Sequence, residues 1–386
     1  MEAISIEHRF SRNLANEFSQ IFFETWAALD ENFNAEDFHG VDWPGMRDRY
    51  AEHLPYVRTR DDLRRLVNDM QGELNASHAG FSSFGKEEET FYSARTAETG
   101  IVFSDDSPLT VERIITKSHP DLTEKAIRPG DKLLSVNGRP VDPTINRNRF
   151  FYFADMPEEL VLEFSRNGDE FEVVTRPHSH HHISALLYDE WIAENRRYVA
   201  EKSDGRLGYV YMKNMSAGAL NQFIIDMSTH AMDKEALIFD IRFNRGGNVH
   251  DDVLQFLSQR TYLTWRYRGT PHAPQPNFAP SDNPIVMLIN ERSLSDAEMT
   301  AEGFDALDLG TIIGTETYRW IIFTSGKQMV DGSFTRLPSW GCYSLDGENL
   351  ELRGVPPHIP VHNNFSDRQQ GKDPQLDRAI EEAMRI

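Results

Sequence analysis

The first part of the chain carries the spacing of amphipathic helices. Apolar side chains recur every three or four residues among charged ones, at Phe10, Leu14, Phe18, Phe22, Trp26 and Leu29. This spacing predicts a helix that buries one face, and the charges within it distinguish it from a secretory signal. Shorter stretches of the same period predict a second helix near residues 44–53 and a third over residues 60–74.

The middle of the chain changes to strand patterns. Short β-type runs occur at residues 110–115 and 160–164, with turn signals at Pro129-Gly130-Asp131 and Asn137-Gly138. The pattern predicts a small β-rich module. The histidine-rich stretch 177–182 then predicts an exposed linker. It has no cysteine or carboxylate at a recognised ligand spacing, so we expect no metal site there.

Strands and helices alternate in the last half of the chain. Strand-like runs lie at residues 207–211, 236–241, 285–289 and 311–314, and helical patterns lie near residues 217–231, 249–259 and 296–309. This alternation predicts an α/β domain with a largely parallel sheet. We therefore expect an α+β multidomain chain with a helical domain at 1–88, a β-rich domain at 89–178 and an α/β domain at 179–386.

Charge and composition narrow the function classes. The 40 basic and 61 acidic residues give a net charge of −21, which disfavours a nucleic-acid partner because phosphate binding needs a basic face. Only nine of the basic residues are lysines, a composition that suits a salt-rich cytosol. The single cysteine, Cys342, excludes an intramolecular disulfide. No stretch approaches the roughly 18 apolar residues of a membrane span, so we expect a cytoplasmic protein.

The first chemical candidate is a serine between a strand and a helix. Ser295 follows the buried-type run 284–289 and precedes the helical pattern that starts at Asp296. The unpaired N–H groups and the positive dipole end of a helix can stabilise the oxyanion of acyl transfer. The alternative is a serine that only caps the helix.

Three further segments carry candidate groups. His78 follows Ser77 in a glycine-flanked turn and suits general-base chemistry, although the pair could simply be a polar helix terminus. Gly246-Gly247 lets backbone approach a substrate, and no phosphate-loop spacing of glycines is present. Glu351 precedes a Gly-Val-Pro turn and could orient a histidine, but a carboxylate before a turn is uninformative alone.

These segments together resemble the tricorn protease family, the tricorn-like branch of the S41 C-terminal-processing serine peptidases. The resemblance covers most of the chain through motifs in the family's order, at residues 39–43, 72–78, 128–138, 240–247, 293–298 and 371–376. It implies a PDZ-like β-rich module and a ClpP/crotonase-like α/β catalytic domain. At 386 residues, the chain leaves no room for the β-propeller domains of the large tricorn proteins.

The resemblance implies a Ser-His-Ser-Glu tetrad. Ser295 matches the nucleophile, His78 the general base, and Ser77 with Glu351 the relay that holds the imidazole. Related processing peptidases use a Ser/Lys dyad instead. Their lysine position is Trp320 here, which favours a Ser/His mechanism.

The resemblance also implies where a substrate would bind. The backbone N–H groups of Gly247 and Asp296 match the oxyanion hole, and Arg245 and Gly246, with Gly247, would line the substrate strand. Arg319 and Trp320 replace small residues near the site and would narrow a pocket. In the family, a preference for substrates with basic side chains rests on an acidic residue beyond the double glycine. Residues 261–280 contain no acidic residue that could take this place, so the cleavage specificity stays open.

We therefore predict a serine peptidase that hydrolyses peptides or unfolded proteins through an acyl-enzyme, without a cofactor or metal. Its partners would be peptide or unfolded-protein substrates, and a homo-oligomer is compatible with the sequence. One alternative is a non-catalytic protein that binds peptides or apolar ligands on the same fold. The other is a crotonase-like acyl-CoA enzyme, which would need neither His78 nor Glu351.

Overall fold

The computed structural model describes residues 11–90, 95–122 and 127–385. The chain forms two compact units, one made of Met1–Glu88 with Val199–Ile386 and the other of Glu89–Tyr198. The architecture is mixed α/β, with N-terminal helices and a parallel central sheet as predicted. Phe10, the first residue of the predicted helical stripe, lies outside the described residues. Among the described residues, no helix is long and apolar enough to span a membrane.

The helices, in chain order, are α1 Leu14–Asn32, α2 Trp43–Ala51, α3 Arg60–Gly72, α4 His180–Lys202, α5 Ala217–His230, α6 His250–Leu257, α7 Asp296–Ala306, α8 Phe365–Gln369 and α9 Pro374–Arg385. The strands are β1 Gly80–Ser82, β2 Arg95–Thr96, β3 Ile101–Phe103, β4 Val111–Ile114, β5 Lys132–Val136, β6 Arg139–Pro140, β7 Tyr152–Phe153, β8 Leu160–Arg166, β9 Asp169–Thr175, β10 Leu207–Tyr211, β11 Ala236–Asp240, β12 Leu263–Trp265, β13 Ala273–Gln275, β14 Ile285–Ile289, β15 Thr311–Gly314, β16 Ile322–Gln328, β17 Phe334–Gly341 and β18 Ile359–Pro360.

The N-terminal helices and a short antiparallel sheet share one core. The sheet has the strand order β1-β17-β16, and the buried side chains of its Phe81 and Leu337 join those of α1 and α3. At the end of α3, the buried Gln71 amide donates to Thr335 Oγ1 of β17 at 2.7 Å. The packing places the turn that follows α3, which carries Ser77 and His78, next to this sheet.

The central sheet positions the other candidate segments. Its strands are parallel in the order β10-β11-β14-β15-β18. β10, β11 and β14 are buried at every position, which explains their continuous apolar runs. Asp240 of β11 pairs with Leu288 of β14, so the two strands end at the same edge. The Gly246-Gly247 loop and the Ser295 turn both leave the sheet at that edge, where ligands bind in open α/β sheets.

The middle unit contains an antiparallel sheet in the order β6-β5-β8-β9 and the strand pairs β3-β4 and β2-β7. The predicted histidine-rich linker is wrong, because His178 pairs with Glu98 in a β-bridge and α4 begins at His180. Ser179 accounts for the helix start, since its hydroxyl accepts the N–H of His182 at 3.2 Å as an N-cap does. Most of α4 belongs to the middle unit, whereas the predicted boundary lay at residue 178.

Candidate active site

Ser295 occupies a sharp turn between β14 and α7. Its φ of 59° and ψ of −121° lie far from the extended conformation of ordinary N-cap residues. The N–H of Ser295 donates to Oε1 of Glu298 at 2.9 Å, which is the glutamate half of a capping box. Glu298 therefore helps to secure the start of α7.

Glu298 is a buried carboxylate that accepts several hydrogen bonds, and the sequence analysis assigned it no role. Its side chain is fully buried. Oε1 accepts the N–H groups of Ser295 and Trp320, each at 2.9 Å, and Oε2 accepts the Arg319 N–H at 2.7 Å and the Thr317 hydroxyl at 2.5 Å. Burial raises the pKa of Glu298, and these four donors partly offset the rise. The available signal was its place three residues after Ser295, where a capping-box glutamate stands.

The double glycine packs directly against the Ser295 turn. Gly246 has a φ of 76°, and a Cβ there would lie 2.8 Å from Leu294 O and Ser295 Cβ, so this position requires glycine. Gly247 forms a parallel bridge with Met215. Among the residues that the structure describes, neither the Gly247 N–H nor the Asp296 N–H has a hydrogen-bond acceptor. Both donors are therefore available to an oxygen atom of a ligand.

The Asp296 carboxylate ties the start of α7 to the start of α6. Its Oδ2 accepts the N–H groups of Val249 at 2.7 Å and His250 at 3.2 Å, and its Oδ1 lies 2.5 Å from His250 Nδ1. The hydrogen bond to Asp296 raises the pKa of His250. His250 was not singled out from the sequence, because nothing in its neighbourhood along the chain points to Asp296. No group of three or more His, Cys, Asp or Glu residues within the described ranges could hold a metal ion.

Ser77 and Glu351 meet, although 274 positions separate them in the chain. The Ser77 N–H donates to Glu351 Oε1 at 2.7 Å, and the Ser77 hydroxyl donates to Oε2 at 3.0 Å. Both residues are buried. A buried carboxylate held this way is anchored at both oxygens to Ser77, the residue that precedes His78.

His78 is a buried imidazole in a left-handed turn, with a φ of 61°. Burial lowers the pKa of His78 to about 4, the positive charge of Arg336 acts in the same direction, and a hydrogen bond with the Trp320 backbone partly offsets them. Its Nε2 is buried and has no hydrogen-bond partner among the described residues. The structure therefore does not join His78 to Ser295 by a hydrogen bond.

Trp320 contacts His78 and shares a hydrogen-bond acceptor with Ser295. The Trp320 ring lies edge-on to the His78 ring with 5.4 Å between centroids. The Trp320 N–H donates to Glu298 Oε1, the oxygen that also holds the Ser295 N–H.

Comparisons with known proteins agree with this architecture. Residues 14–72 match the Tricorn protease C1 domain, and residues 206–361 match Peptidase family S41. The chain is therefore similar to peptidases of family S41, on the tricorn branch. It is 33% identical to "Tricorn protease homolog 1" of Streptomyces coelicolor over 95% of its own length and 35% of that protein. It is 29% identical to "Putative Tricorn-like protease C-terminal subunit" of Sulfurisphaera tokodaii over 96% of its length and 43% of that protein.

The solved structures show the same fold. The crystal structure of the tricorn protease superposes with a TM-score of 0.79 at 24% identity, over 97% of this chain and 37% of that one. The chain thus spans between about a third and two fifths of the length of the tricorn proteins that it matches. In this chain, the motifs at the edge of the parallel sheet and the Ser77-His78 turn belong to the same compact unit.

Proposed function

We propose that the chain is a serine peptidase that hydrolyses peptides or unfolded proteins through an acyl-enzyme. The observation that carries the proposal is the buried double hydrogen bond between Ser77 and Glu351 beside His78. Neither a non-catalytic binding protein nor a crotonase-like acyl-CoA enzyme requires a carboxylate anchored next to a histidine. A Ser-His-Ser-Glu tetrad does.

In this mechanism, His78 is the general base. Its low pKa keeps the imidazole neutral near pH 7, so it can accept the proton of the Ser295 hydroxyl as the serine oxygen attacks the substrate carbonyl. The Ser77 hydroxyl already donates to Glu351, and in the reacting complex its lone pairs would accept the imidazole N–H that the Trp320 backbone holds in this structure. The relay orients His78 and stabilises the imidazolium that forms.

The oxyanion of the tetrahedral intermediate would receive the N–H groups of Gly247 and Asp296, which have no other acceptor among the described residues. Collapse of the intermediate breaks the peptide bond, and the imidazolium donates its proton to the leaving amine. Water, deprotonated by His78, then attacks the acyl-enzyme and releases Ser295. The geometry of an unliganded site is often looser than in the reacting complex, so the unpartnered Nε2 of His78 is compatible with this sequence.

The substrate would bind as an extended strand along the exposed Arg245 and Gly247, with Gly246 beneath it. Main-chain hydrogen bonds at a sheet edge would supply affinity, and side-chain pockets would supply selectivity. The β-rich middle unit would act as a PDZ-like module, and the α/β part of the other unit would be a ClpP/crotonase-like catalytic domain.

A fluorophosphonate probe with an unfolded-protein substrate tests the proposal. We expect the wild-type chain to be labelled on Ser295 and to cleave the substrate. Ser295→Ala and His78→Ala should each lower turnover by about 10³-fold or more with an unchanged circular dichroism spectrum. Ser228→Ala, on the exposed surface of α5, should match the wild type. A folded wild-type chain that neither reacts with the probe nor cleaves peptides would refute the peptidase.

A further inference from the structure

The proposed tetrad is enclosed. Relative exposures are 5% for Ser77, 7% for His78, 9% for Ser295 and 8% for Glu351. Trp320, in ring contact with His78, is by contrast 39% exposed. A peptide that is to reach the imidazole must therefore displace a group next to it, and Trp320 is a group that both contacts His78 and faces solvent.

The turn that carries Trp320 is held in a costly conformation. Arg319 has a φ of 77°, which side chains other than glycine rarely adopt. Its N–H and that of Trp320 both donate to the buried Glu298 carboxylate. Strained backbone of this kind persists where the surroundings impose it, and it concentrates at functional sites. Here the same turn carries the Trp320 ring that contacts His78.

The ring contacts leave Trp320 able to move. Its backbone is fixed by Glu298, while its ring packs edge-on between His78 and Tyr318, with 5.0 Å between the Tyr318 and Trp320 centroids. Tyr318 is itself 41% exposed. A partly exposed side chain on a fixed backbone changes position by rotation about its side-chain torsions, without unfolding of the turn.

We propose that Trp320 is a specificity-determining gate over His78, which admits the leaving-group side of the substrate. The proposal rests on the peptidase function inferred above. A base that later protonates the leaving amine must lie beside the residue that follows the scissile bond. The Trp320 ring occupies space beside that base, so bulky residues at this substrate position are excluded until the ring rotates away.

The charge that acts on the pKa of His78 is that of Arg336 in β17, and it does not depend on the Trp320 ring. Glu351 is bonded to Ser77, the residue before His78, and Arg319, the residue before Trp320, pairs with Glu316 at 2.9 Å. Replacing Trp320 by alanine leaves these groups in place. A change in the titration of His78 in that variant therefore reports the loss of the ring that covers it.

The first test is independent of turnover. The His78 ring signals are titrated by NMR in Ser295→Ala and in the double variant that also carries Trp320→Ala. We expect the pKa of His78 to rise from about 4 towards 6.5 when the ring is removed. Trp320→Phe should keep the low value, as should Trp265→Ala, which removes an exposed tryptophan from β12. An unchanged pKa of His78 in the double variant would refute the proposal that the Trp320 ring shields His78 from solvent.

The second test concerns substrate entry. We expect Trp320→Ala to react with a fluorophosphonate about tenfold faster than wild type. Mass spectrometry of unfolded-protein digests should then show bulky residues directly after the cleaved bond, where wild type admits small ones. Equal labelling rates with equal cleavage preferences would refute the gate and leave the peptidase intact. Absence of labelling and cleavage in both folded proteins would instead refute the peptidase, and with it the gate's role in substrate entry.

Discussion

Individual residues around the site adopt conformations that are rare elsewhere. His78, Ser295 and Arg319 have φ values of 61°, 59° and 77°. Each such residue costs on the order of 1–3 kcal/mol and persists only where its surroundings hold it. Glu298 provides that restraint for two of the three, because it accepts the N–H groups of Ser295 and Arg319. The turns are therefore set before a substrate arrives.

The burial of His78 predicts an unusual acid limit for activity. Its neutral form is the base, and burial lowers its pKa to about 4, so activity should persist until the pH falls to that value. We expect the acid limb of kcat/KM to have its midpoint near pH 4 in a protein that circular dichroism shows to be folded. A midpoint near 6.5, the ordinary value for histidine, would contradict the burial of the base.

The same shift has a stability consequence of defined sign. A histidine whose pKa is lowered by folding contributes stability that is present above pH 6.5 and is lost as the pH falls through 4.

Sequence motifs predicted the pairing of Ser77 with Glu351, because the resemblance to the tricorn family supplied both partners. They could not predict the contact of Trp320 with His78 or the bond of His250 to Asp296. These contacts depend on how distant turns pack after folding. Glu298 stood in a recognised motif, but its four donors come largely from a turn about twenty residues further along the chain.

At the scale of elements, the starts of α6 and α7 are joined by Asp296. Its carboxylate holds the segment that follows the double glycine, and its own N–H is a proposed oxyanion donor. The two proposed donors, Gly247 and Asp296, therefore lie on segments whose separation is set partly by the His250 bond to Asp296.

We predict that His250→Ala lowers kcat by about tenfold with little change in KM, because oxyanion donors act mainly on the transition state. His272→Ala, in an exposed loop, is the matched control. The pKa of His250 is raised in the folded chain, so the stabilisation from its charge is complete below pH 6.5 and declines as the pH rises through the raised value. Steady-state kinetics at pH 6 measure the change in kcat, and urea unfolding at pH 6 and pH 9 measures the stabilisation. An unchanged kcat at pH 6 would count against a positioning role.

A second junction anchors α9 to the central sheet. Arg242 is almost completely buried, and its guanidinium donates to Asp240 and, at 2.8 and 2.9 Å, to Asp373 at the start of α9. Burial alone would raise the pKa of Asp373, but the Arg242 charge and its hydrogen bonds lower it overall. The stability from this carboxylate is therefore present above its ordinary pKa and is lost as the pH falls through the lowered value.

We predict that Asp373→Asn lowers the free energy of unfolding by about 3 kcal/mol, because it leaves a buried guanidinium without one of its charge partners. Urea unfolding at pH 7 measures the change. Asp233→Asn, at an exposed position, should alter the free energy of unfolding by less than about 0.5 kcal/mol. If the two variants were equally stable, the anchoring of α9 by Arg242 would be disproved.

The success of the sequence prediction differs between elements for physical reasons. The strands β10, β14 and β15 were located at their observed bounds, because strands buried on both faces carry uninterrupted apolar runs. The hairpin of β16 and β17 was missed, since it is partly exposed and its pattern is mixed. The first turn of α4 was mistaken for a linker because its histidines are exposed.

At the scale of the whole molecule, one compact unit combines two segments that are far apart in the sequence. Residues Met1–Glu88 and Val199–Ile386 form one unit, because the core of the N-terminal helices is completed by Met329 and Leu337 from the far end of the chain. The periodicity of apolar residues predicts helices and strands, but it cannot predict which distant segments pack into the same core.

The net charge of −21 is a property of the whole chain. Excess charge of one sign destabilises a compact state through self-repulsion, and salt screens it over about 10 Å at 0.1 M and about 3 Å at 1 M. We predict that KCl raises the free energy of unfolding, with most of the rise below roughly 0.5 M, where screening changes fastest. Urea unfolding in a KCl series measures this. Sucrose at matched osmolality is the control, because it favours burial without screening charge. A free energy of unfolding that stays constant or falls with KCl would show that the acidic surface does not limit stability.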